Sequence, residues 1–214
     1  MPIICPTILA DNTEDYAWQI KKIAHVAHRL QIDLTDGDLA KSKTISPTKA
    51  WWPAGMKADI HLMYRYPLKA ATAVIKHRPN LIIVHAEAEG IFEDIAELCA
   101  EHQTKIGVAL LASTPPTVIE SVLSRLDHVL IFSGVFGSFG GRANFSLLEK
   151  VKYLKSLKPD VEVGWDGGVN DQTVAELVYG GVDVLSVGGY IQNSDNPAKA
   201  FKVLQRIADE TGTT

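Results

Sequence analysis

The sequence predicts a single α/β domain over residues 1–214, folded as a (β/α)8 TIM barrel. Eight short apolar runs, most of them rich in Val and Ile, recur along the chain, as expected of strands buried on both faces of a parallel sheet. Helix-like stretches separate them. Sharing 214 residues among eight units leaves about 27 for each, roughly the minimum for a strand, a helix and two short loops. Eight such units close naturally into a barrel. The rival is an open doubly wound sheet with a Gly-rich dinucleotide loop after its first strand. Thr7–Asn12 contains no glycine, which favours the barrel.

The elements follow in order. A strand over 3–10 leads into a helix over 15–28 that sets Tyr16, Ile20, Ile23 and Ala27 on one face. After the strand at 29–34, residues 35–56 hold a short helix or none. The strand at 58–63 precedes a helix at 67–77. The strand at 81–86 precedes one at 90–102, with Ile91, Ile95, Leu98 and Cys99 on one side. A strand at 105–111 leads to a helix opened by Pro115 and Pro116, residues suited to a first turn. Strands at 128–133, 161–166 and 182–188 alternate with helices at 144–157, 170–181 and 196–210. Asn170 and Asn196 read as N-caps and Gly180 as a C-terminal stop.

With 46% hydrophobic and 21% charged residues, the chain is excluded from the disordered, collagenous and coiled-coil classes. A net charge of −4 gives no basic tract for nucleic acid. Cys5 and Cys99 lie in apolar contexts and read as reduced core thiols. The apolar start lacks a basic region and soon meets Asp11, Glu14 and Asp15, unlike a signal peptide. No run approaches the ~18 apolar residues of a membrane span. A cytoplasmic protein without a membrane partner is expected.

Barrel enzymes carry their chemistry at the C-terminal ends of the strands, and polar residues gather there. Strand two ends Gln31-Ile32-Asp33, strand three His61-Leu62-Met63, strand four His85-Ala86-Glu87, and strand seven Asp166-Gly167-Gly168. Alternation sends Gln31 and Asp33 to the same side. A carboxylate facing inward from an apolar strand is costly unless it is paired or bound to a metal. Each residue also has a plainer reading. Asp33 can cap a loop, Asp166 can serve the turn before its glycines, His61 can be a satisfied core histidine, and His85 fits either role. Asp36 before Gly37 is most simply a turn residue. Together Asp33, His61 and Asp166 make an oxygen–nitrogen–oxygen set suited to Zn²⁺, Mn²⁺ or Fe²⁺. Gly140-Gly141, Gly167-Gly168 and Gly188-Gly189 follow three consecutive strands. Backbone N–H groups in such loops form anion nests, where barrels often hold phosphate. A helix starting near Asn193–Ala198 would add its positive end.

At these residues the chain resembles the ribulose-phosphate 3-epimerase family, from about Ile4 to Ile191. ICPTIL looks like the family's opening strand, with Thr7 where Ser is usual. IDLTDG resembles Val-Asp-Val-Met-Asp-Gly. DIHLM, VHAEA, GVAL followed by STP, SFGG, DGGVN and DVLSVGG follow in the family's order. The resemblance implies a metal-dependent 3-epimerase of a ketose phosphate such as ribulose 5-phosphate. A divalent ion (Zn, Mn, Fe, Co or Mg) would hold the C2 and C3 oxygens and stabilise a cis-enediolate. Asp33 and Asp166 would exchange protons on opposite faces of C3. Asp33, His61, Asp166 and Gln31 would surround the metal. Thr7, Met63 and the glycines Gly140, Gly141, Gly167, Gly168, Gly188 and Gly189 would contact the substrate. A homo-oligomer is compatible with this reading.

The departures lie on the sugar side. Gln31 stands where the family has a metal-binding His, so metal binding is expected to weaken and to shift from Zn²⁺ towards Mn²⁺ or Mg²⁺. Thr35 replaces a Met, Leu111 an Asn, and DLAKSKTIS the family's His-Phe-Val-Pro-Asn segment. The loop after strand six is one residue longer, with Phe136 and Ser138 in place of the usual Pro and Gly neighbourhood. The alternative is a non-catalytic sugar-phosphate-binding relative with a degraded metal site. A barrel lyase or decarboxylase would want Asp-x-Lys-x-x-Asp on strand two, and Asp33-Leu34-Thr35-Asp36 lacks the lysine.

Overall fold

In a closed sheet, one set of alternating side chains fills the barrel and the other meets the helices, so both sets are apolar over most of their length. That pattern folds here into eight parallel strands: β1 (Ile3–Ile8), β2 (Arg29–Thr35), β3 (Lys57–Met63), β4 (Leu81–His85), β5 (Lys105–Leu111), β6 (His128–Phe132), β7 (Glu162–Asp166) and β8 (Val184–Val187). Each pairs with its neighbours in sequence and β1 pairs with β8, closing the barrel. The computed structural model describes residues 1–90 and 92–213. Ile91, assigned above to a helix face, lies outside them.

The outer layer holds α1 (Thr13–Ile23), α2 (Leu68–Val74), α3 (Phe92–Glu101), α4 (Glu120–Leu123), α5 (Leu148–Leu157), α6 (Val174–Tyr179), α7 (Gly189–Gln192) and α8 (Pro197–Gly212). Asn12 caps α1 by accepting the Asp15 N–H, and Asn196 caps α8 by accepting that of Lys199. Several expected helices are shorter. α1 stops at Ile23, and Ala27 is buried beyond it. The prolines at 115–116 open a 3-10 turn before α4 rather than a full helix. Between β2 and β3 there is only the 3-10 turn Pro47–Lys49. Asn170 is not the N-cap of α6: its carboxamide oxygen accepts the Gln172 N–H in a local turn, and the cap position falls to Thr173. Gly180 does end α6. Asp36 is a turn residue, accepting the Asp38 N–H. Cys5 and Cys99 are buried free thiols, and burial pushes both thiol pKa values up. Among the described residues no helix is long and apolar enough to cross a membrane.

The barrel interior is layered. At the N-terminal mouth Arg29, 8% exposed, ties β2 to β3 and β7. Its Nε donates to Asp59 at 2.6 Å, and its two terminal nitrogens donate to Glu162 at 2.8 and 2.7 Å. His128 Nδ1 meets Glu162 at 2.8 Å and Asn80 donates to Asp59 at 2.6 Å, so these buried charges are paired and hydrogen-bonded. Leu81, Ile83, Ala109 and Leu130 form an apolar plug above them. The polar residues of the opposite end rest on that plug.

Candidate active site

Two steps along β2 above Arg29 stands Gln31, and two further stands Asp33, all on the inward face. Register sets Asp33 beside His61, Thr7 beside Gln31, and Asp166 beside Ser186. Asp33, His61 and Asp166 each bring a potential ligand atom within 4.8 Å of the others'. His61 is fully buried.

The Gln31 amide is turned opposite to the expectation. Its nitrogen donates to Asp33 Oδ1 at 2.8 Å and to Asp166 Oδ2 at 2.6 Å, while its oxygen accepts the Ser186 hydroxyl at 2.7 Å. Carboxylate oxygens only accept, so two facing carboxylates draw the N–H₂ end between them. Even so, burial and then the charge of Asp33 push the Asp166 carboxyl up, to about 7. That places a carboxyl able to give and to take a proton near neutral pH at the mouth of the site.

A cavity of about 320 Å³ opens above this cluster. Thr7, Asp33, Met63, Phe132 and Asp166 line it together with Gly140, Gly141, Gly167, Gly168, Gly188 and Gly189, and with Phe139 and Tyr190. Its lining therefore combines two carboxylates with a run of glycine backbone. Thr7 Oγ1 is buried without a hydrogen-bond partner among the described residues, which suits a ligand hydroxyl. The start of α8 lines an adjoining groove with Asn193 and Asn196 and is not among the residues that line this cavity. The unfamiliar segment after β2 leans on the loop after β6, where the Ser42 hydroxyl donates to the Gly137 carbonyl at 2.5 Å.

The glycines differ in what they tolerate. Gly168 has φ +71°, and a methyl group there would overlap the backbone of Arg142 and Ala143. Gly168→Ala is therefore expected to lower thermal stability outright. The atoms nearest a methyl group at Gly188 belong to the Phe139 ring, a side chain that can move. Gly188→Ala is expected to fold and to raise KM for phosphorylated sugars several-fold with kcat little changed. Steady-state kinetics check this, and an unchanged KM would put the phosphate elsewhere.

Sequence reasoning named Glu87 and Phe136 without giving them a role, and it passed over Ser186 and Phe132. Ser186, at an inward position of β8, anchors the Gln31 oxygen. Phe132 and Phe136 form a wall against His85, with ring centres 6.1 and 4.7 Å away. Glu87 accepts the Leu111 N–H at 3.1 Å and the Thr114 hydroxyl, and meets His85 Nδ1 at 3.1 Å. Burial raises the Glu87 carboxyl pKa, but hydrogen bonds from His85 and Thr114 outweigh this and hold it at about 2. Burial pushes His85 down to about 4. The signal for Ser186 was inward alternation, a polar residue where an apolar one would pack; Glu87 lies in the loop after β4, beyond the reach of that pattern.

A model of the ribulose-phosphate 3 epimerase family matches residues 3–192. The chain belongs to that family. It is 30% identical over 211 residues to the ribulose-phosphate 3-epimerase of Bacillus subtilis (strain 168), covering 94% of this chain and 97% of that one. It is 29% identical to the enzyme of the same name from Helicobacter pylori (strain ATCC 700392 / 26695), covering 95% and 97%. Among solved structures, the KGPDC of Streptococcus mutans superposes with a TM-score of 0.74 at 13% identity, covering 99% of each chain, a likeness of fold. The relatives are isomerase-class enzymes, so the expectation of a ribulose-phosphate 3-epimerase-like isomerase is met, and family membership supports a ketose-phosphate epimerase.

Proposed function

We propose that the chain epimerises C3 of a ketose phosphate such as ribulose 5-phosphate, with Asp33 and Asp166 as the proton-transfer pair. The observation that carries this reading is two inward carboxylates sharing one Gln31 amide, the Asp166 carboxyl pushed up to about 7, in a cavity that six loop glycines also line. One carboxylate takes the C3 proton while the C–H electron pair moves towards the C2 carbonyl oxygen. The other carboxyl returns a proton to the opposite face. Thr7 Oγ1 and Met63 face the sugar, and the glycine loops receive the phosphate.

The donor set fits a divalent metal. Asp33, His61 and Asp166 would hold it, and Gln31 would join them if its amide turned to present oxygen. The Ser186 hydroxyl, which can donate or accept, suits either orientation. When bound, the metal supplies positive charge for the oxygens beside the reacting carbon.

Proton–deuterium exchange at C3, followed by NMR over a panel of ketose phosphates with and without added Mn²⁺ or Zn²⁺, tests the reading. Exchange with inversion at C3 is expected for at least one pentulose or hexulose phosphate. Binding without exchange for every sugar would instead mark a non-catalytic sugar-phosphate-binding relative.

A further inference from the structure

Beneath the aromatic wall, three side chains from β3, β4 and the loop after β4 form a chain of contacts that ends in the site. Glu87 Oε1 is occupied by the Leu111 N–H at 3.1 Å and the Thr114 hydroxyl, and Oε2 faces His85 Nδ1 at 3.1 Å. A carboxylate only accepts, so His85 carries its proton on Nδ1. His85 Nε2 and His61 Nε2 then stand 2.8 Å apart, and one proton lies between them. A proton there on His85 would make it a second buried charge beside Glu87, on a ring 3% exposed; on His61 it leaves both rings neutral. His61 Nδ1 then presents its lone pair 2.9 Å from Asp33 Oδ1 and 3.5 Å from Gln31 Nε2, whose two hydrogens are already given to Asp33 and Asp166. Two acceptors facing each other at that distance call for a cation between them.

We propose that Glu87 and His85 are positioning residues: they fix the His61 proton on Nε2, so that Nδ1 presents its lone pair to a divalent cation shared with Asp33 and Asp166. This rests on the metal-assisted reading above. It is the arrangement by which an outer carboxylate orients a metal-binding imidazole, here extended through a second ring.

The discriminating variant is Glu87→Gln. The Leu111 N–H and Thr114 hydroxyl hold the new side chain's oxygen, so its N–H₂ faces His85 Nδ1. That ring must then accept on Nδ1 and carry its proton on Nε2. His61 in turn accepts on Nε2 and carries a proton on Nδ1, which covers the lone pair. Long-range ¹H–¹⁵N NMR of the EDTA-treated wild type is expected to show His61 protonated on Nε2 and His85 on Nδ1, with both assignments reversed in Glu87→Gln. Calorimetric titration with Mn²⁺ is expected to show affinity about 10-fold or more weaker in the variant. The metal-free variant should melt within a few degrees of wild type, since the Leu111 and Thr114 bonds are kept and the two contacts of His85 only reverse direction. A proton on His85 Nε2 in the wild type, or equal Mn²⁺ affinity in the two proteins, overturns the relay. If the wild type binds no Mn²⁺, or if the variant does not fold, the wild-type ring assignments decide alone. They are read without substrate, so failure of the epimerase reading leaves them unaffected.

Discussion

Asp166→Asn lowers kcat on ribulose 5-phosphate by about 10²–10⁴-fold, the range for loss of a positioned proton carrier, and it also changes how stability responds to pH. The carboxyl, ordinarily near 3.8, is pushed up to about 7 in the folded protein by burial and by Asp33. Between those values the folded state holds more protons than the unfolded one. The stability gained from this proton is fully present below the lower value and is lost as pH rises through the upper one. Metal-free wild type should therefore lose Tm between pH 4 and 7 and level off above. The uncharged amide keeps an oxygen for the Gln31 N–H₂ and does not titrate, so the variant's profile should be flatter and its Tm at pH 8 higher than wild type. Turnover assays and thermal unfolding in EDTA across pH 5–8 check both parts. Unchanged kcat would place the proton pair elsewhere, and parallel Tm profiles would show that another group titrates.

Gln31→His has the second-largest expected effect. In the metal-free protein the Gln31 amide bridges Asp33 and Asp166 through its nitrogen, so metal binding has to break both hydrogen bonds before the oxygen can face the ion. The substitution removes that competition and offers an imidazole nitrogen. Metal affinity is expected to rise about 10-fold or more. In EDTA the variant should melt below wild type, because two buried carboxylates lose their shared donor. Saturating metal should then raise its Tm more than it raises that of wild type. Titration of both proteins with Zn²⁺ and Mn²⁺ in one buffer measures the difference. Equal affinities would mean that the bridge does not oppose the ion.

Much of this architecture was legible in the chain. The eight apolar runs are strands because burial on both faces leaves no other pattern for them, and Asp33, His61 and Asp166 stood out because each interrupts such a run where it ends. What could not be read depends on partners across strands. The direction of the Gln31 amide is set by Asp166, 135 residues away, and by Ser186, 155 away. His85 looked ambiguous because its meaning lies in His61 on one side and Glu87 on the other. Asn170 bonds as a cap would, its side chain accepting the Gln172 N–H and its carbonyl the Val174 N–H, but the turn at 171–173 is not regular helix and α6 starts only at Val174. The 35–56 segment formed only the 3-10 turn Pro47–Lys49, as its weak helical pattern implied.

The Arg29 network at the N-terminal mouth bears on how the barrel assembles. Arg29 and Glu162 are 133 residues apart, on strands from opposite halves of the chain. Either half alone would keep only part of the network, Arg29 with Asp59 or Glu162 with His128, and would lose the two-pronged Arg29–Glu162 pair, a loss that is costly for buried charges. Each incomplete barrel is thereby penalised, and only the closed ring escapes the penalty. The charges that seem a liability in an apolar interior thus favour cooperativity, drawing the first and last quarters of the chain into a single folding unit.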